Sequence, residues 1–197
     1  MNRKSRLSLS ASNEKEIVRN IRNGDPYAFR TLFKRYYKSL VKYAFRFTQD
    51  VQTAEDIVSD VYLKIWEKRS ELNIRGSIKA YMYKMTHNYS INYLKKNKRE
   101  ATESWQLHLA TEQVTFADEH LQLDELKKHI EKAINELPER TREVFTMHRY
   151  DNLKYSEIAE VLNIKEGTVE THMVRALKFL RKRLAFLLSI VPLFLKI

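Results

Sequence analysis

The sequence predicts an all-α protein with two small helical domains joined by a flexible acidic linker, the C-terminal one a helix-turn-helix. Three observations lead to this prediction. The 197 residues include only three Gly and three Pro, which is too few turn residues for an all-β fold. Apolar residues recur at helical spacing along most of the chain. Lys and Arg are concentrated in residues 1–99 and 127–197, whereas the charges between them, in residues 100–126, are all acidic.

Residues 24–99 are predicted to form the first domain, after an N-terminal arm over residues 1–23. The arm is basic but has no apolar run after its charges, so it does not fit a secretory signal. Asp25 is suited to cap a helix that Pro26 opens, because the carboxylate accepts free amides and proline needs no amide partner there. The apolar residues that follow at helical spacing are assigned to the core: Phe29, Leu32, Phe33, Tyr36, Leu40, Tyr43 and Ala44.

The second predicted helix has an acidic face although the domain around it is basic. Thr53 is predicted to begin it, with Asp56 at a capping-box-like spacing. Asp56 and Asp60 are like charges four residues apart, which weakens a helix, and Leu63 shares their face. This face either docks on a protein or is a solvated face whose acids favour the helix dipole, and the residues alone leave both open. The predicted core side comprises Ala54, Ile57, Val58, Val61 and Ile65.

A long third helix is predicted from about Ile78 to Arg99. Cations, aromatic rings and amides interleave on its outer side, an arrangement that suits single-stranded nucleic acid. Alternatively, cations late in a helix only complement its dipole. The predicted core side comprises Ile78, Tyr81, Met82, Met85, Tyr89 and Tyr93. The outer side comprises Lys79, Tyr83, Lys84, His87, Asn88, Ile91, Lys95 and Lys98.

The second domain is predicted over residues 126–184, after a linker over residues 100–125. A short helix (Tyr155–Leu162) is followed by Asn163, which accepts a left-handed turn, and then by a third helix from about Glu166 to Leu184. That helix has hydroxyls early and cations later on one face, as a DNA-reading helix requires; the alternative is a solvated basic helix in a bundle. This polar face comprises Thr168, Thr171, Arg175, Lys178 and Lys182. The predicted core face comprises Val169, Met173, Ala176, Leu177, Leu180 and Leu184.

Residues 185–197 form an apolar C-terminal tail. The tail is shorter than the roughly 20 residues that span a bilayer, and Pro192 interrupts it. We predict that it is a docking end of the last helix; a contact with a partner or with a membrane surface is the other interpretation.

Three motifs in this order resemble the extracytoplasmic-function (ECF) sigma factors, small two-domain specificity subunits of bacterial RNA polymerase. AEDIVSDVYLKIW (Ala54–Trp66) resembles the family's helix that docks on the clamp of the polymerase. SIKAYMYKMTHNYSINYLKKNKR (Ser77–Arg99) resembles its promoter-melting and −10-recognition helix. LPERTREVF and YSEIAEVLNIKEGTVETHMVRALKFLRKRL, within residues 137–184, resemble its −35-reading helix-turn-helix.

The resemblance implies a site for each motif. It assigns docking on core polymerase to Asp56, Asp60, Leu63 and Trp66. It assigns capture of a flipped −10 base to the loop Glu71–Ser77 with Asn88, and nearby DNA contacts to Lys84, Lys95, Lys96, Lys98 and Arg99. It assigns the −35 major groove to Thr168, Thr171, His172, Arg175 and Lys178.

The sequence departs from the family pattern at several positions. His87 stands where Arg is frequent, Asn92 where an acid is frequent, and the basic tract after it is rich in Lys, which reads bases bidentately less well than Arg. Lys154 occupies the usual Ser/Thr cap position of the short helix, where Ser156 is expected to substitute.

The implied partners are core RNA polymerase, promoter DNA in double- and single-stranded form, and an anti-sigma factor. No cofactor, metal or small-molecule substrate is expected, and a cytoplasmic location is expected because cysteine is absent. A helix-turn-helix regulator with an N-terminal sensor domain is the alternative; it would bind duplex DNA tightly without polymerase. An enzyme is disfavoured, since the sequence lacks a P-loop, a dinucleotide fingerprint, a His-Glu-x-x-His motif and any Cys nucleophile.

Overall fold

The computed structural model describes residues 14–74, 76–98 and 121–185, without the side chains of residues 98 and 121–126. All regular structure in these ranges is helical, which confirms the predicted fold class, and none of these helices combines the length and apolar character needed to cross a bilayer. One compact unit contains α1 to α4, and a second contains α5, α6, α8 and most of α7. The elements are α1 (14–22), α2 (Pro26–Thr48), α3 (Val51–Glu67), a 3-10 turn (Arg69–Glu71), α4 (Ile78–Lys98), α5 (Leu121–Asn135), α6 (Glu139–Arg149), α7 (Tyr155–Leu162) and α8 (Glu166–Arg183).

Helix α1 corrects the prediction of an arm over residues 1–23. Ile17 and Ile21 are buried in the first unit, as an i,i+4 pair on one helix face requires. Glu14 accepts a hydrogen bond from the Tyr36 hydroxyl at 2.7 Å and lies 3.3 Å from the Arg35 guanidinium. The sequence did not predict this helix, because its apolar pair is short and charged residues flank it. The rest of the predicted arm lies outside the described residues.

Two aspartates cap the helices of the first unit. Asp25 accepts a hydrogen bond from the amide of Tyr27 at 2.8 Å, which confirms the predicted start of α2 at Pro26. The predicted start of α3 at Thr53 is wrong, because Asp50 is the cap and accepts the Thr53 amide at 2.7 Å. This hydrogen bond holds the pKa of Asp50 below its ordinary value. A carboxylate on the residue immediately before the helix thus replaces the predicted threonine.

The core of the first unit forms where α2 packs against α3 and α4. The predicted core side of α3 is confirmed, since Ala54, Ile57, Val58, Val61 and Ile65 are all buried. Most of the predicted core residues of α2 are confirmed as buried: Leu32, Tyr36, Leu40, Tyr43 and Ala44. At the edge of this stripe, Phe29 is half-buried and Phe33 is 39% exposed.

Helix α4 is rotated relative to the predicted orientation. Ile78 and Met82 are buried as predicted, but Tyr81, Met85, Tyr89 and Tyr93 are only half-buried. Tyr83, predicted on the nucleic-acid side, is fully buried, and its ring lies 5.2 Å from that of Tyr43. The aromatic residues of α4 are distributed around the whole helix, so its sequence shows no single apolar stripe that predicts the core face. Small residues on the buried side of α4 allow the neighbouring helices to approach closely, which accounts for the observed orientation. These residues are Ala80, Thr86 and Ser90.

Helix α5 begins at Leu121, before the predicted domain start at residue 126. The predicted linker over residues 100–125 therefore ends in a helix, and residues 100–120 lie outside the described ranges. Leucines at 123 and 126 continue the helical spacing of Ile130 and Ile134, but the acidic composition of this stretch favoured a linker.

The second unit ties α5 to α6 through a buried cation. Arg142 is buried, and its Nη1 donates to the carbonyl of Asn135, the last residue of α5, at 2.7 Å. A cation at the C-terminal end of a helix complements the helix dipole. Burial lowers the pKa of Arg142 from its ordinary value.

The turn between α7 and α8 has the predicted left-handed residue, since Asn163 has φ 51° and ψ 49°. At the start of α7 the predicted substitute Ser156 is not the cap partner. Instead, the Lys154 amide donates to the Glu157 carboxylate at 2.9 Å. Val169, Met173, Ala176 and Leu180 of α8 are buried as predicted, whereas Leu177 is 52% exposed because it lies at the edge of that face, and Leu184 is half-buried.

The Asp25→Ala substitution should destabilise the first unit by about 1 kcal/mol, because it leaves a first-turn amide of α2 without its acceptor. Urea unfolding followed by circular dichroism measures the change. Asp25→Asn is the matched control and should stay close to wild type, since asparagine caps equally well. Equal losses in both variants would contradict the capping role.

Acid should weaken the contact between Glu136 and Arg183, which joins the end of α5 to the end of α8. The Arg183 Nε and Nη2 donate to the two Glu136 oxygens at 2.6 and 2.9 Å, and these hydrogen bonds lower the pKa of Glu136. The folded pKa lies below the unfolded one, so this stabilisation is present above the ordinary glutamate pKa and is lost as pH falls through the folded pKa.

The difference in Tm between wild type and Glu136→Gln should therefore be largest near neutral pH and shrink towards pH 3. Glu170→Gln, which removes an exposed carboxylate from α8, is the control and should show no such convergence. A gap that stays constant with pH would count against the ion pair as its source.

Candidate functional site

The acidic face of α3 is exposed and continuous. Asp56, Asp60 and Leu63 lie at i, i+4 and i+7, so they share one side of the helix. Both aspartates are exposed, and the Leu63 side chain is 56% exposed. Gln52 donates to the Asp56 carboxylate at 3.1 Å. An apolar side chain beside two carboxylates therefore projects into solvent from a rigid helix.

Trp66 occupies a different environment from the other three predicted docking residues. Its side chain is half-buried, and its ring lies 4.9 Å from the ring of Phe29. The Arg69 guanidinium lies 4.7 Å from the centre of the Trp66 ring, and Arg69 Nη1 donates to the Trp66 carbonyl at 2.8 Å. Trp66 thus contributes to packing between α2 and α3 as well as to their surface.

An aromatic cluster borders the acidic face and was missed in the sequence, where its α2 members were assigned to the core or overlooked. The rings of Phe33 and Tyr37 stack at 4.5 Å, and Phe33 lies 5.0 Å from Tyr62. Burial, followed by the charges of Glu55 and Asp56, raises the pKa of Tyr37. The i,i+4 spacing of the α2 aromatics was the signal that could have revealed it. The cluster comprises Phe29, Phe33, Tyr37, Tyr62 and Trp66.

The outer side of α4 carries three of the predicted DNA-binding residues. Lys84, Asn88 and Lys95 lie at i, i+4 and i+11, on the side opposite the buried Thr86 and Ser90. Asn88 and Lys95 are exposed, and Lys84 is half-buried. Lys96 is also exposed but points about 100° away around the helix axis. The side chain of Lys98 and all of Arg99 lie outside the described structure.

His87 belongs to the packing between α2 and α4. Its Nδ1 lies 2.9 Å from the Tyr43 hydroxyl, and its ring meets that of Phe47 edge to face at 5.6 Å. The histidine that departs from the family's frequent arginine therefore has a structural partner in the core.

The loop Glu71–Ser77 faces a cleft of about 470 Å³ beside α1. Leu72 anchors the loop in the core, and the Ser77 hydroxyl accepts the amide of Ala80 at 3.0 Å at the start of α4. Residue 75 lies outside the described structure. Three cations of α1 line the cleft together with the loop: Lys15, Arg19 and Arg22.

The predicted −35 residues lie along one side of α8. Thr168, Thr171, Arg175 and Lys178 are exposed, whereas His172 is half-buried. The Thr171 hydroxyl donates to the Gly167 carbonyl at 2.8 Å. The His172 Nδ1 lies 3.0 Å from the Thr141 hydroxyl of α6. Burial, followed by the charges of Arg175 and Arg140, lowers the pKa of His172, which favours the neutral form of the imidazole.

Comparison with known proteins matches both units to one family. Residues 32–100 match the model for sigma-70 region 2, and residues 128–180 match the model for sigma-70 region 4. The chain is 26% identical to the RNA polymerase sigma-H factor of Pseudomonas aeruginosa, over 91% of this chain and 98% of that protein. It is 27% identical to the ECF RNA polymerase sigma factor SigW of Bacillus subtilis, over 86% of this chain and 96% of that protein.

Solved structures share the fold. CnrH, solved in complex with the cytosolic domain of CnrY, aligns with a TM-score of 0.60 and 18% identity over 90% of this chain and 97% of its own. The sigma factor RpoE of Bartonella quintana, solved with the anti-sigma factor NepR, aligns with a TM-score of 0.60 and 21% identity over 80% of this chain and 96% of its own. Since region 2 and region 4 occur in this order and full-length relatives include ECF proteins, the chain belongs to the ECF sigma factors, which bind RNA polymerase and direct promoter-specific initiation of transcription.

Proposed function

We propose that three separate helix faces divide the work of this sigma factor. The acidic face of α3 docks on core polymerase, the outer side of α4 holds the unwound −10 element, and the polar side of α8 reads the −35 element. The observation that supports this division is that each helix buries one side and carries the residues assigned to its partner on the other, solvent-facing side. The chain itself performs no covalent step and works in the cytoplasm, where polymerase meets the promoter.

The docking face combines steering charge with apolar anchors. Asp56 and Asp60 attract a basic partner surface, and such charges speed encounter and fix register more than they add affinity. Leu63 and the aromatic cluster supply apolar area, and aromatic residues dominate the binding energy of many interfaces. A polymerase surface that presents Arg or Lys around an apolar patch complements this face.

The α4 side and the adjacent cleft suit a single strand. Lys84 and Lys95 can follow the phosphates, while the Asn88 amide can both donate to and accept from an exposed base edge. The cationic cleft beside the loop Glu71–Ser77 offers space for a nucleotide leaving the stack. Unwinding then follows from differential binding, because exposed bases gain contacts that the duplex does not offer.

The α8 side suits the major groove. Thr168 and Thr171 lie near the helix N-terminus, where recognition helices contact base edges. Arg175 can bind guanine O6 and N7 bidentately, and Lys178 can contact a phosphate. The two cations thus have separable roles in sequence preference and in general affinity.

An anti-sigma factor is the proposed regulator. Both solved relatives named above were captured in complexes, one of them with an anti-sigma factor. We propose that such a protein covers the acidic face and the aromatic cluster of this chain, so that its binding and polymerase binding exclude each other.

Reconstitution with core polymerase, followed by selection of the promoters that the complex opens, tests the proposal. Enrichment of templates with paired upstream and downstream elements is expected. Tight, dimeric binding to promoter duplex in the absence of polymerase, with no effect on initiation, would instead favour a helix-turn-helix regulator.

Asp60→Arg should reduce capture of core polymerase at least about tenfold, because it places a cation where the partner surface is expected to be basic. Pull-down with purified core enzyme measures it, and circular dichroism checks the fold. The matched control is Glu16→Arg, the same charge reversal at an exposed position on α1. Capture that is unchanged by Asp60→Arg, or equally reduced by both variants, would contradict docking through α3.

Arg175→Ala should weaken binding to the selected −35 sequence by about 1–3 kcal/mol and relax preference at one position. Lys178→Ala should weaken cognate and scrambled duplexes alike and reduce the salt slope by about one. Fluorescence anisotropy of the holoenzyme on upstream duplexes at several salt concentrations separates the two. Equal loss on scrambled DNA for Arg175→Ala would mean that Arg175 contacts only phosphate.

A further inference from the structure

One residue of the proposed −35 surface on α8, His172, is hydrogen-bonded to a buried side chain of the neighbouring helix α6. His172 is half-buried, and its Nδ1 meets the hydroxyl of Thr141, which is only 4% exposed, at 3.0 Å. The other members of that surface are exposed. A side chain on a DNA-facing helix that is fixed by a buried hydroxyl has a defined orientation and a defined hydrogen-bonding character.

The hydrogen bond selects a tautomer of the imidazole. Within the described residues, His172 is the hydrogen-bond partner of the Thr141 hydroxyl. If Nδ1 carried the proton, the hydroxyl would accept and its own proton would be buried without an acceptor, which is costly. If the hydroxyl donates to Nδ1, both groups are satisfied and the ring proton lies on Nε2.

The surrounding charges oppose a second proton on the ring. Burial, and then the charges of Arg175 on α8 and Arg140 on α6, lower the pKa of His172. Glu143, the nearby acid of α6, is engaged by Arg140 at 2.6 Å. A neutral ring with Nε2–H is therefore consistent with the hydrogen bond and with the electrostatics.

We propose that Thr141 is a positioning residue that fixes His172 as a neutral Nε2–H donor, and that this donor disfavours cytosine at one position of the −35 element. The inference rests on the proposed function of α8. In the major groove, guanine, adenine and thymine each present an acceptor, whereas cytosine presents only its amino donor. His172 therefore discriminates against cytosine on the strand that it contacts.

Because His172 is neutral, its contribution to DNA binding should differ in salt dependence from that of the neighbouring cations. A neutral donor releases no counterion, so its loss changes sequence preference without changing the salt slope. Loss of Lys178 should instead reduce the salt slope and leave the sequence preference unchanged. This difference keeps a base-reading role distinguishable from general attraction to DNA.

The tautomer is tested first, on the full-length protein without DNA. Long-range ¹H–¹⁵N correlation spectra at pH 7.5 should show His172 with its proton on Nε2. Thr141→Ser, which retains the hydroxyl, should keep this pattern, and Thr141→Val, which has nearly the same shape without it, should lose it. A proton on Nδ1 in wild type, or identical spectra in the two variants, would overturn the proposal.

The base preference is tested with holoenzyme formed from the full chain and core polymerase, on duplexes randomised across the upstream element. His172→Ala and Thr141→Val should flatten preference at the same single base pair, with the ratio of best to worst base falling about threefold to tenfold. Thr141→Ser should restore it. Flattening at different positions, or none in Thr141→Val, would overturn the positioning role.

The pH profile provides a readout that a merely structural role would not move. Because a protonated ring keeps its Nε2–H but gains a positive charge, the salt slope of wild-type binding should stay constant near neutral pH and steepen as the pH falls, whereas in Thr141→Val, which lacks the hydroxyl that donates to Nδ1, it should steepen at higher pH. Coincident profiles would overturn the proposal. If wild-type holoenzyme enriches no upstream sequence, the proposed function of α8 fails, and the tautomer measurement still reports separately on Thr141.

Discussion

The contact between α4 and α2 determines which side of α4 faces solvent. The Tyr43 ring of α2 packs against the Tyr83 ring, and the Tyr43 hydroxyl lies 2.9 Å from His87 Nδ1, so the side of α4 that carries the buried Ala80, Thr86 and Ser90 also faces the core. Lys84, Asn88 and Lys95 face solvent as a consequence of this packing. Since close-packed cores tolerate little change in volume, a larger residue at Ala80 or Ser90 would rotate or displace α4 and carry its outer side with it.

The charge of the surface differs from one helix face to another. The net charge of +11 suits nucleic acid, yet Asp56 and Asp60 lie on a helix whose outward face carries no cation between them. Long-range attraction to DNA is weakened locally at that face, and a basic protein surface is favoured there. The same molecule can therefore meet two kinds of partner without the two surfaces competing for one ligand.

The sequence predicted the all-helical class and the buried side of α3 because strong periodicity left one solution. It also predicted the caps at Asp25 and Asn163, where local chemistry decides the structure. It failed for α4, because tertiary packing of small residues outweighed the aromatic pattern. The Thr141–His172 contact could not be predicted, since it joins residues on different helices and depends on how those helices pack. For the aromatic cluster, the i,i+4 spacing of the α2 aromatics was a signal, but its α3 members, Tyr62 and Trp66, depend on how α2 and α3 pack.

Helix α1 has a consequence for how the chain can be shortened. Ile21 is completely buried, and full burial of such a side chain contributes about 1.5–3 kcal/mol. At the N-terminal end of the same helix, Glu14 contacts Tyr36 and Arg35 and so connects α1 to α2. Truncations that stop before residue 14 leave these interactions untouched, whereas proteolytic trimming past residue 17 would open the hydrophobic interior of the first unit to water.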